Sequence, residues 1–237
     1  MKLQSDFIEQ IEEMVEGCHR LATLGYVTSS GGNISYRVEE NLVLITPTKT
    51  PKRIMKAEDI CAVDLEGRIM FSSGGKKPTG EIPFHLRILK ARPDLKAVVH
   101  AHPPVLTGFA IAGSDLIAKP FLPEPIIEVG PMLFVPYETP LSEALSRQFD
   151  AVIRKSNSFL MEKHGAVVCG DGVFEAVEMM QMMECMGVSI MTAHALGKCE
   201  PILPAFVKEM DQVIAVRNLR MPGAPGEFAS ASELYGL

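Results

Sequence analysis

Apolar residues recur every three or four positions early in the chain, at Ile8, Ile11, Val15, Cys18 and Ala22, which predicts an amphipathic helix over Asp6–Leu24. Asp6 and Glu9 are spaced to form a capping box at its start. The period then shortens. Two β-type runs within Ile34–Thr46, split at Glu39–Asn41, and a second pair within Ile60–Phe71, turning at Glu66–Gly67, read as antiparallel strands. From there helix and strand patterns alternate. Ile82–Ala91 has helical spacing, Ala97–His102 is a short apolar strand, and Pro103–Ala112 opens with prolines suited to a first helical turn. Met132–Val135 predicts a strand, Leu141–Arg154 a helix, and Phe159–Cys169 a strand region leading into a long helix over Val173–Leu196. These elements make one α/β domain over residues 1–237, with no strict βαβ repeat and no longer internal period. The stretch after Leu219, with Pro222, Gly223, Pro225 and Gly226, has the composition of a flexible C-terminal arm over 219–237.

Composition narrows the function classes. With 237 residues and 47% hydrophobic content the chain can bury a full core without covalent staples. Its net charge of −6 removes the broad attraction to phosphate backbones that a non-specific nucleic-acid binder needs. No apolar run approaches the roughly 18 residues of a membrane span. The acidic start, with Asp6, Glu9, Glu12 and Glu13, is unlike a secretory signal, so a cytoplasmic location is expected. Cys18, Cys61, Cys169, Cys185 and Cys199 are odd in number and widely spaced, and read as buried free thiols.

His100 and His102 lie on a predicted strand, where residues i and i+2 project from one face about 6.6 Å apart, close enough for two imidazoles to converge on one metal ion. A third histidine, His164, ends the apolar run Phe159–Met161 just before the next strand. Three histidines leaving one position open is a catalytic rather than a structural zinc arrangement. His19, His85 and His194 lie in amphipathic helices and read as packing or surface residues. The loop Ser72–Glu81, rich in glycine and lysine, ends at a helix start and suits an anion, although Glu81 stands where a Walker loop needs its lysine. Thr28–Asn33 and Thr46–Lys49 are two further donor-rich turns, and together the three point to a small anionic substrate.

In chain order, Gly32-Asn33-Ile34-Ser35, Ile45-Thr46-Pro47-Thr48, Pro78-Thr79-Gly80-Glu81, His100-Ala101-His102-Pro103-Pro104, Pro136-Tyr137 and His164-Gly165 resemble the landmarks of the class II aldolase/adducin family. Within it the pattern is nearest that of the L-fuculose-1-phosphate aldolases. The resemblance implies a mainly antiparallel central sheet flanked by helices. It implies that His100, His102 and His164 bind a divalent metal, zinc or manganese, that Glu81 touches the metal and serves as acid/base, and that the donor ketone passes through a metal-stabilised enediolate. Gly32, Asn33, Thr48, Lys49, Thr79 and Gly80 fall at the substrate- and phosphate-binding positions. Tyr137 and, in the closing Leu234–Leu237, Tyr235 match tyrosines that handle the aldehyde oxygen at subunit interfaces of a homotetramer.

The departures bear on substrate. Thr79-Gly80 keeps one hydroxyl where the aldolase pattern has two serines, and Lys49 replaces the usual glycine, so phosphate is held differently or a carboxylate takes its place. Two alternatives stay open on the same fold: a decarboxylase of a small keto or hydroxy acid, and a ketose-phosphate 4-epimerase, whose pattern has aspartate at the place of Glu81. A non-catalytic adducin-like module would have no use for three histidines and a glutamate.

Overall fold

The computed structural model of the protein describes residues 3–237. Its strands are β1 Asn33–Glu39, β2 Leu42–Ile45, β3 Cys61–Val63, β4 Ile69–Phe71, β5 Ala97–Ala101, β6 Leu133–Val135, β7 Ser158–Met161 and β8 Gly165–Gly170. They form one sheet in the order β4-β3-β2-β1-β5-β8-β7-β6, antiparallel throughout except for β6 beside β7. The helices are α1 Leu3–Asp6, α2 Ile8–Thr23, α3 Ile82–Ala91, α4 Pro104–Ala112, α5 Pro123–Glu128, α6 Glu143–Gln148, α7 Val173–Ala195, α8 Pro204–Arg217 and α9 Ala231–Leu234. The two-residue alternation of the strands separates two cores. Ala97, Val99 and Ala101 of β5 and Ala166 and Val168 of β8 pack with α2, α4 and α7, while Val98, Val167 and Cys169 pack with α3 and α6.

Several expectations are corrected. α2 starts at Ile8 with Phe7 in the cap position and no side-chain cap bond, so the box between Asp6 and Glu9 does not form; Asp6 sits in α1 and accepts a hydrogen bond from the Ser5 hydroxyl. The helix expected over Leu141–Arg154 is confined to α6 and a following 3-10 turn, because Leu141 takes a positive φ of 66° and Ser142 caps the helix by accepting from Leu145 N–H. α5 and α8 had no clear signature in the sequence. α8 buries Val207 and Ile214 and leaves Phe206, Val213 and Val216 exposed, so its apolar positions trace no single stripe. Of the cysteines, Cys18, Cys61 and Cys169 are buried free thiols, but Cys185 is exposed and Cys199 half-buried. Among the described residues, no helix is long and apolar enough to cross a membrane.

Arg92, fully buried just after α3, ties distant parts of the chain together. Its guanidinium donates to the carbonyls of Ile153, Ser156 and Gly223, to Asn157 Oδ1 and to the Asp94 carboxylate. The segment 219–237, read as a flexible arm, is thereby pinned at Gly223. It is held further by Arg220 on Asp94 and Asp171 and by Asp211, which accepts from the first amides of α9. Arg92→Met is expected to destabilise the fold by about 3–5 kcal/mol, because it leaves three buried carbonyls without their donor at once while Asp94 keeps only Arg220. The check is the urea midpoint at unchanged slope, and a loss under about 1 kcal/mol would show that water replaces the guanidinium.

Candidate active site

His100 is the fourth residue of β5, opposite Asn33 on β1 and Val167 on β8. Its ring lies on the α3 face of the sheet, edge-on to Phe84. His102, two residues on and just past the strand end, projects to the same side, with ring centroids 4.7 Å apart. His164 sits in the short turn between β7 and β8, where Lys163 adopts φ 53°, and its ring lies 4.9 Å from His100 and 5.5 Å from His102. Gly165 allows this approach: a Cβ there would stand 2.6 Å from both the Ala101 carbonyl and the His102 ring. One ligand nitrogen from each histidine falls within 4.8 Å of the others.

Glu81 occupies the cap position of α3 and is 7% exposed. Its Oε2 lies 3.3 Å from His100 Nε2 and its Oε1 3.3 Å from His164 Nε2, while Asn33 Nδ2 donates to Oε2 at 2.8 Å. The donor set fits a divalent metal. His100 donates Nδ1–H to the Ala166 carbonyl at 2.9 Å, which leaves the lone pair on its buried Nε2 with no hydrogen-bond partner. Burial and the neighbouring histidines hold His100 well below the usual histidine value, and burial followed by His164 lowers His102. Both shifts favour the neutral ring that coordination requires.

The donor-rich turns converge beside this cluster. Thr48 N–H donates to Lys77 O and Thr79 N–H to Thr46 O, while the Thr46 hydroxyl accepts from Ile34 N–H. Thr79 Oγ1 accepts from Glu81 N–H, and Thr79 is buried while Thr48, Lys49 and Gly80 are exposed. Gly32 has φ 66°, and a Cβ on it would meet the His100 carbonyl at 2.8 Å. The Asn33 side chain points inward to Glu81 and His85. Lys52 carried no sequence signal. It is 1% exposed and donates to the carbonyls of Ser30 and Thr50, bridging two of the turns.

Tyr137 is 51% exposed, although its backbone N–H is tethered to Glu162 in the turn that carries His164. Tyr235 packs against the cluster of Ile126, Val207, Ile214 and Ala231. His19 meets the Met55 carbonyl and His194 is exposed, as surface or packing residues would be. His85 is different: it is fully buried and hydrogen-bonded at both ring nitrogens, to Ser35 and Asn33.

Burial, reinforced by His100 and opposed by Glu81, pushes the His85 pKa down to about 3. The unfolded chain binds this proton more readily, so stability present above about pH 6.5 is lost as pH falls toward 3, by up to about 1.4 kcal/mol per unit. The urea midpoint of the metal-free protein should drop from pH 6.5 to 4.5, and His85→Gln should flatten that slope. An unchanged slope in the variant would remove His85 from the acid response.

Fold and site together define an α/β protein built around a three-histidine candidate metal site with a carboxylate beside it. The chain belongs to the class II aldolase and adducin family, whose N-terminal domain model matches residues 12–186. It is 31% identical over 180 residues to the 3-oxo-tetronate 4-phosphate decarboxylase of Haemophilus influenzae, covering 75% of this chain and 84% of that protein. It is 34% identical over 178 residues to the L-fuculose phosphate aldolase of Methanococcus vannielii, covering 73% and 91%. Among solved structures, YgbL of Klebsiella pneumoniae superposes with a TM-score of 0.74 at 30% identity, covering 81% of this chain and 92% of that one.

Proposed function

We propose that the protein is a divalent-metal-dependent lyase that breaks the carbon–carbon bond between the α and β carbons of a small keto-sugar phosphate, in the manner of an L-fuculose-1-phosphate aldolase with dihydroxyacetone phosphate as donor. The observation that supports it is the buried Glu81 carboxylate facing two of the three converging histidines. His100, His102 and His164 would hold a divalent cation, zinc or manganese, which when bound would supply Lewis acidity to the donor carbonyl. Glu81 removes the proton from the donor's hydroxymethyl carbon in the synthetic direction and returns it after cleavage. Gly32, Asn33, Thr48, Lys49, Thr79 and Gly80 form the side that takes the anionic end of the substrate. Tyr137, exposed in one chain, is suited to meet the aldehyde oxygen in a neighbouring subunit's site of a cytoplasmic homotetramer. Tyr235 has that role only if its packing is exchanged for one across subunits.

Relatives named for decarboxylation support a second reading, loss of carbon dioxide from a phosphorylated 3-oxo acid. There the bond to the carboxyl carbon breaks and carbon dioxide leaves, the electron pair passes toward the carbonyl, and Glu81 relays a proton taken from water to the carbon. The same residues act and only the leaving group differs. Exchange of the hydroxymethyl protons of dihydroxyacetone phosphate in heavy water, followed by NMR with and without chelator, tests the shared step. Exchange that stops on chelation, with aldehyde-dependent consumption of the donor, supports the aldolase. Carbon dioxide release from a 3-oxo-tetronate phosphate without aldehyde condensation replaces it with the decarboxylase. Neither reaction in zinc-loaded protein overturns both.

A further inference from the structure

Two periodicities meet between the sheet and α3. On β1, Asn33 and Ser35 are two apart and share one face; at the start of α3, Glu81 and His85 are four apart and share another. The side chains link end to end: Ser35 Oγ to His85 Nδ1 at 2.8 Å, His85 Nε2 to Asn33 Oδ1 at 2.5 Å, and Asn33 Nδ2 to Glu81 Oε2 at 2.8 Å. Ser35 and His85 are fully buried and Asn33 is 5% exposed. We propose that Ser35, His85 and Asn33 are a positioning relay for the Glu81 carboxylate, with one amide hydrogen of Asn33 committed to that carboxylate.

The direction of each bond follows from the carboxylate outward. Asn33 Nδ2 donates to Glu81 Oε2, which turns the Asn33 carbonyl oxygen toward His85. That oxygen requires His85 to carry its hydrogen on Nε2. Nδ1 is then the acceptor, and the Ser35 hydroxyl donates to it. Flipping the Asn33 amide would set an oxygen against the carboxylate and an N–H against Nε2–H, two repulsions at once, so the ring locks the amide. The relay also separates the two oxygens of Glu81. Oε2 is occupied by Asn33, which leaves Oε1, on the His164 side, as the oxygen that moves the proton.

This inference rests on Glu81 being the proton-transfer group, and the test keeps the two apart. With zinc-loaded protein and dihydroxyacetone phosphate as probe, His85→Phe and Asn33→Ala should each lower the maximal exchange rate about 10- to 100-fold at zinc content within about twofold, and His85→Phe should also leave half-saturation within about twofold. The double variant should be no slower than Asn33→Ala, since one relay can be broken only once. Ser35→Thr should retain the rate that Ser35→Ala lowers. Additive losses, or an Asn33→Ala variant that raises half-saturation at unchanged maximal rate, would overturn the relay. Inactive Glu81→Gln beside fully active His85→Phe would do so too while leaving the Glu81 role standing, and a fully active Glu81→Gln would remove both. Independently of turnover, nitrogen-15 NMR of the folded wild type should show His85 as the neutral Nε2–H tautomer, and the Nδ1–H tautomer would sink the proposal.

Discussion

Glu81→Gln is expected to keep its metal and lose its reaction. The amide preserves the size of the side chain and can still accept from Asn33 through its oxygen, so the pocket between β1, α3 and the His164 turn should hold its shape. What disappears is a group that can take a proton from carbon and give it back, a contribution of roughly 10²–10⁴-fold. The measurement pairs the turnover rate with metal content on the same sample. A variant with full metal and more than about a tenth of the wild-type rate would mean that another group, or water, moves the proton.

His102→Ala should fail in the other order, losing the ion first and activity with it. His102 is half-buried at the end of β5, and its backbone N–H donates to the Tyr26 carbonyl, a bond that the substitution does not touch. The fold should survive while the site keeps two histidines, and divalent-metal affinity should fall at least about 100-fold. Titration with zinc against a competing chelator reads this directly. An unchanged affinity would take His102 out of the ligand set and leave Glu81 as the third ligand beside His100 and His164. The pair of variants divides the site: one keeps metal without chemistry, the other keeps the base without metal.

The pairing of His100 with His102 was legible in the sequence because a short-range rule creates it. The spacing of His100 and His102 puts both on one strand face, and His164 precedes a glycine that lets its turn close against them. Strand alternation and the helical spacing of Ile82–Ala91 were equally readable, and α3 spans those same residues. What escaped depends on pairing between distant segments. His85 looks like any histidine in an amphipathic helix until β1 supplies Asn33 and Ser35 opposite it. Lys52 and Arg92 are charged residues that composition assigns to the surface, and only carbonyls from remote loops make their burial tolerable. α8, with two buried side chains over its length, was hidden for the opposite reason. It buries too little to imprint a period.

The pairing of Asn33 with His100 across β1 and β5, and of Ala101 with Ala166 across β5 and β8, has a kinetic consequence. Each brings together segments that lie roughly 65 residues apart in the chain, and contacts of that separation form late because loop closure must precede them. A chain with its helices formed but its central strands unpaired would therefore hold Glu81 and His85 on α3 without Asn33 or His164 brought against them. During refolding from urea, the recovery of turnover should follow the slowest phase seen by fluorescence or circular dichroism rather than the early return of helical signal. The centre of the sheet is where the protein finishes folding, and catalysis reports when it has.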